Sequence, residues 1–137
     1  MIENLLFAYP SLIDPKLARP KRQVQLSRDS RADLLFEVGN ETILVEIKRD
    51  RITPAAVAQM ERYARRTGKQ TTRLRGILIA PEITAAALNR IRKSAFSIVF
   101  KKLGSEIPTT IKVCRECRHA YDARLTACPR DQVQAVI

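Results

Sequence analysis

The sequence predicts an α/β fold, a mixed β-sheet flanked by helices, and three observations carry that expectation. Gly39-Asn40 separates two apolar runs, the signal of a β-hairpin. Gly76-Ile-Leu-Ile-Ala80 is a short apolar run closed by Pro81, the pattern of a buried strand. Thr53-Pro54 and Thr84 each open a segment of helical character, with threonine as N-cap. Strands alternating with helices make a sheet covered on both faces.

Taken in order, Ile2 to Leu12 reads as a short helix stopped around Pro10, offering Leu5, Leu6, Tyr9 and Leu12 to the core. Asp14 to Arg22 carries two prolines and four Lys or Arg, an exposed basic connection. Strands are expected over Gln23 to Leu26, Arg31 to Val38 and Glu41 to Arg49. A helix runs from Pro54 to about Thr67, with Gly68 placed to end it. After the strand at 76–80, Leu88, Ile91 and Ala95 recur at helical spacing behind Thr84, and Ser97 to Leu103 forms a last strand before Gly104. Residues 1–107 form the main domain, and 108–137 a small cysteine-bearing segment.

The 137 residues, 45% of them hydrophobic, suffice for one compact domain and a small appendage. A net charge of +11 favours a polyanion: nucleic acid first, an anionic membrane second. No run approaches a membrane span, and the first residues lack the basic stretch of a signal peptide, so the expected setting is cytoplasmic with no membrane partner. The single histidine, His119, lies within the cysteine cluster, which removes mechanisms built on several histidines. Carboxylates and lysine must carry any catalysis.

A two-residue loop at Gly39-Asn40 pairs Val38 with Glu41, so Asp33 falls opposite Glu46. Leu34, Phe36, Val38, Ile43, Val45 and Ile47 then share an apolar face, while Asp33, Glu46 and Lys48 share the other. Facing carboxylates repel unless something compensates, and a divalent cation would. Magnesium takes oxygen ligands from one or two carboxylates and can acidify a bound water, while Lys48 would stabilise charge on phosphorus or orient that water. The competing reading is a surface salt bridge, since Glu-x-Lys on a strand is common.

Ser30-Arg-Ala-Asp33-Leu-Leu and Leu44-Val-Glu46-Ile-Lys48-Arg together resemble the PD-(D/E)XK nuclease superfamily, and within it the NucS (EndoMS) type. Gln59-Met-Glu-Arg-Tyr63 resembles the Gln-x-x-x-Tyr motif of RecB-like members, and similarity covers about residues 2–103. The resemblance implies a restriction-endonuclease-like core. It implies that Asp33, Glu46 and the main-chain carbonyl of Ile47 hold magnesium or manganese, and that Lys48 assists the attacking water. Gln59 would brace the lysine or the water, Tyr63 would contact a phosphate or support the helix, and Glu3 corresponds to the acid that many members contribute from the first helix. Ser30 stands where the family has glycine, and the separate N-terminal DNA-binding and dimerisation domain of NucS proteins is not in this sequence.

Arg62, Arg65, Arg66, Lys69, Arg73 and Arg75 form a basic run without an acid, suited to sequence-independent phosphate contact; a solvated helix face is the plainer reading. Cys114-Arg-Glu-Cys117 and Cys128-Pro-Arg-Asp131 have the two-residue spacing that brings ligands to one structural zinc. The segment resembles short zinc ribbons ending in Cys-Pro-x-Asp, which makes Asp131 the fourth ligand, with His119 as competitor. A degenerate ribbon without metal is the alternative.

The expected function is a metal-dependent DNA endonuclease of NucS type. A junction resolvase, or a non-catalytic nucleic-acid-binding protein with an inactive nuclease core, are the alternatives. Cutting both strands with single-strand sites would require two copies, hence a homodimer.

Overall fold

The computed structural model describes residues 2–27, 30–67 and 73–129. Its centre is a five-stranded sheet in the order β1 (Lys21–Ser27), β2 (Ser30–Val38), β3 (Glu41–Ile47), β5 (Arg73–Ala80), β7 (Ser97–Lys102). The first three strands are antiparallel and the last three parallel. This mixed pattern follows from the connections. A two-residue turn reverses the chain at Gly39, whose φ of +61° suits glycine, whereas parallel neighbours need crossovers.

Helix α2 (Pro54–Thr67) makes the crossover from β3 to β5, and α3 (Ala85–Lys93) the one from β5 to β7. Both pack on one face, where Val57, Met60 and Ala87 meet Leu35, Leu44, Leu78 and Ile98. The other face is covered by α1 (Ile2–Ala8) and a 3-10 turn at Pro10–Leu12, with Leu6 and Ile13 against Leu34, Phe36, Val45, Ile77 and Ile79. Residues 77–80 of β5 are fully buried, which accounts for their unbroken apolar run.

The Pro10 stop and the Thr84 cap fall where expected; Thr84 Oγ1 accepts the Ala87 N–H at 3.1 Å. The expected spacing at Ala95 does not hold. The helix ends at Lys93, Ser94 takes an extended conformation, and Ala95 is exposed while Ala87 supplies the buried contact. Two short parallel strands that the sequence does not announce, β4 (Arg51–Ile52) and β6 (Glu82–Ile83), lie beyond the ends of β3 and β5. Gly68 lies outside the described residues.

The approach of α2 to β5 is close. A β-carbon placed on Gly76 would lie 2.7 Å from the Cγ and Sδ of Met60, so glycine is needed there for contact.

Candidate active site and metal centre

The β2–β3 ladder runs in the register the short turn dictates, Val38 with Glu41 through Leu34 with Val45. Asp33 and Glu46 come next by count, and there the regular ladder stops. Asp33 Oδ2 accepts the main-chain N–H of Ile47 at 2.7 Å. Strict alternation is interrupted as well: Ala32 and Leu35, an odd number of residues apart, both belong to the α2-side core. Asp33 therefore borders a cleft of about 550 Å³ together with Ile2, Glu3, Ile47, Arg49 and Leu103. The two-face assignment from the hairpin holds for Leu34, Phe36, Ile43 and Val45 but not for Asp33, because its carboxylate is drawn to the Ile47 backbone.

Across β1, the residue facing Asp33 by count is Gln23, which lies in the left-handed region at φ +48°. Such a conformation costs a non-glycine residue of order 1 kcal/mol and needs compensation. Here the Gln23 side chain donates to Glu3 Oε2 at 3.3 Å. Arg22 donates to the same oxygen at 2.9 and 3.3 Å, reaches Asn4 Oδ1, and lies over the Phe7 ring at 5.2 Å. Glu3 is thus fixed at the cleft by β1.

Glu46 and Lys48 meet as their i, i+2 spacing requires, with Lys48 Nζ 3.3 Å from Glu46 Oε1. Lys48 donates its main-chain N–H to Ile79 O at 2.9 Å, which extends strand geometry one residue past β3. The lysine side chain remains 43% exposed and the glutamate 16%. Gln59 and Tyr63 are half-buried on α2, one turn apart, and Tyr63 packs on the α2-side core, where burial raises its phenol pKa. Among the described residues no hydrogen bond joins Gln59 to Lys48.

The family model for the C-terminal domain of endonuclease NucS matches residues 1–119. The chain belongs to this family. The NucS-type fold is also that of a crystal structure of a repair endonuclease from Pyrococcus abyssi, with a TM-score of 0.61 and 25% identity. An EndoMS-dsDNA2 complex is similar at a TM-score of 0.59 and 23% identity, which speaks to fold. These matches cover 74% of this chain but only 45% and 43% of the others, so the chain spans less than half their length. No curated protein matches.

Glu46 and Ile47 lie at the carboxyl end of β3 beside Leu78 and Ile79 of parallel β5, the end of an open α/β sheet at which ligands bind. Arg73 and Arg75 are elsewhere. They sit beside Glu41 and Ile43 in the β3–β5 ladder, roughly 16 and 10 Å up the strand from Glu46 at about 3.3 Å per residue. Arg75 is moreover paired with Glu41 at 3.4 Å. Arg62 and Arg65 are exposed on α2, while Lys69 and the side chain of Arg66 lie outside the described residues.

Sequence reasoning passed over Glu61. This α2 residue is only 7% exposed and accepts from Arg90 Nε at 2.7 Å and Ser94 Oγ at 3.2 Å, tying α2 to α3. The Arg90 bond holds its carboxyl below the usual range against the opposing effect of burial. The signal available was helical spacing, since Glu61 lies between buried Val57 and Ala64.

The Sγ atoms of Cys114, Cys117 and Cys128 lie within 4.8 Å of one another, with 3.6 Å between Cys117 and Cys128. Thiolates at about 2.3 Å on a tetrahedral zinc are about 3.8 Å apart, so the cluster fits that ion. β8 (Ile111–Val113) and β9 (Ala120–Asp122) form the hairpin that carries it. In the knuckle, Arg118 at φ +64° donates to Cys114 O, and Cys114 donates to His119 O, both at 2.9 Å. The exposed imidazole of His119 does not join the cluster, because its main chain is held in that turn. Asp131 lies outside the described residues.

Proposed function

We propose that this NucS-type domain is a magnesium- or manganese-dependent DNA endonuclease that hydrolyses phosphodiester bonds. The observations that support the reading lie at the end of the β2–β3 ladder, where Asp33 accepts the Ile47 N–H at 2.7 Å and Lys48 Nζ lies 3.3 Å from Glu46 Oε1.

The donor set of Asp33, Glu46 and the Ile47 carbonyl is all oxygen, which fits a hard divalent cation. Bound there, magnesium would offset phosphodiester charge and acidify a water. Lys48 holds an ammonium beside Glu46, positioned to stabilise the extra negative charge on phosphorus and to orient the attacking water. Gln59 would brace that water from α2, and the Tyr63 hydroxyl would support the helix or donate to a phosphate. Glu3, held by Arg22 and Gln23, contributes a further acid at the cleft wall. Two copies are required for both strands to be cut by such sites, so a homodimer belongs to the double-strand form of the reading.

Residues 1–107 form the catalytic unit in this reading, and 108–137 a ribbon in which Cys114, Cys117 and Cys128, with Asp131, hold a structural zinc. The test incubates the protein with single-stranded, duplex, mismatched and branched DNA, and with RNA, in magnesium or manganese. Cleavage of DNA is expected; a chain that binds DNA and cuts none of these supports an inactive core instead.

A further inference from the structure

Resting on the nuclease reading, we propose that Arg49 is a substrate-positioning residue whose guanidinium grips a backbone phosphate of the nucleic acid next to the one cut. The cleft wall carries two acids, Asp33 and Glu3, and Arg49 is its one cation among the described residues. Neighbouring cations are already engaged. Arg22 is bound to Glu3 at 2.9 Å, Lys48 lies 3.3 Å from Glu46, and Lys101 donates to Ile13 O at 2.5 Å. Arg49 is exposed and forms no ion pair with a described residue.

Its placement follows from the backbone. The Lys48 N–H is held by Ile79 O, so side chains still alternate there. Lys48 turns to Glu46, and Arg49, next along the chain, turns to the cleft that Asp33 borders. A planar guanidinium in the bend two residues past β3 can take two oxygens of one phosphate without first being freed from a carboxylate. The long basic run lies toward the other end of the sheet at Arg73 and Arg75, so the cleft needs its own anchor.

The test measures binding of the full chain to labelled duplex and single-stranded DNA in calcium or chelator, so that affinity is read without cleavage. Arg49→Ala is expected to bind about tenfold more weakly, the size of one charge-assisted contact. Its plot of log affinity against log salt should be flatter by about 0.9 on duplex, as for one lost phosphate contact. Arg49→Lys should fall between. Lys16→Ala removes the same charge beside the Gly39 turn and should change affinity less than about twofold. In magnesium the alanine variant should raise KM and keep kcat within about threefold, as expected for uniform binding.

An Arg49→Ala protein that matches wild type or Lys16→Ala overturns the proposal, as does a loss confined to kcat. A wild type that binds through Arg49 but cuts no DNA overturns the nuclease reading and leaves the phosphate contact standing. A wild type that binds no DNA overturns both.

Discussion

The Asp33 carboxylate closes the β2–β3 ladder by accepting the Ile47 N–H at 2.7 Å, so one contact both ends the regular pairing and fixes an acid at the end of β3. Asp33→Ala strands that N–H, and a loss of about 1–3 kcal/mol in denaturant unfolding is expected. Asp33→Asn keeps a carbonyl acceptor and should unfold within about 1 kcal/mol of wild type. A similar large loss in both variants would show that charge, and not the hydrogen bond, holds the strand ends together.

Met60 and Gly76 make a second pair whose fit can be measured. Gly76→Ala drives a methyl against the Met60 side chain and should cost about 1–3 kcal/mol by overpacking. Met60→Ala alone should cost about 2–5 kcal/mol as a cavity. Combined, the two should cost less than their sum, because the new methyl enters the space that Met60 leaves. Strict additivity in a double-mutant cycle would mean that the helix and strand do not meet there.

Glu61 predicts a pH dependence. Its folded pKa lies below the unfolded value because of Arg90, so the clamp contributes stability above the unfolded pKa near 4.5 and loses it as pH falls through the folded value. Arg90→Ala, which leaves Glu61 buried without its main partner, should cost about 1–3 kcal/mol at pH 7 and flatten the acid side of the stability curve. Thermal melts from pH 7 downward read both effects. An unchanged profile would place the α2–α3 attachment in apolar packing alone.

Metal content separates the ribbon from the core. One zinc per chain is expected by elemental analysis, lost in Cys114→Ser and on strong chelation. The β8–β9 hairpin should lose order while the five-stranded sheet keeps its unfolding transition. Zinc-free protein with a protected hairpin would make the cysteine cluster a packing feature.

The hairpin register was legible because Gly39-Asn40 allows one short reversal, and the parallel half because Ile77 to Ala80 is too apolar for anything but a strand buried on both faces. Glu46 and Lys48 were legible for the same reason, being on one strand. Asp33 was placed on the right strand but not in the right surroundings, since alternation assumes a regular ladder and a side chain had replaced its last rung. The basic run divides between two elements. Arg62 and Arg65 are carried by α2, and Arg73 and Arg75 by β5 away from the carboxyl end of β3, whereas the cleft is lined by Arg49 just past β3 and its Glu3 is held by Arg22 and Gln23 of β1. Left-handed backbone at Gln23 depends on a tertiary partner and has no local signal, and helical spacing marks Glu61 as core-facing without naming Arg90 as its partner.

The most direct measurement is the rate of DNA cleavage in magnesium by wild type, Asp33→Asn and Lys48→Ala, compared at matched thermal stability. Wild type should cut and stop on chelation, and each variant should be slower by at least about 100-fold, the loss expected when a charge-stabilising group is removed. Variants that fold and cut as fast as wild type would contradict the assignment of the site at the end of β3.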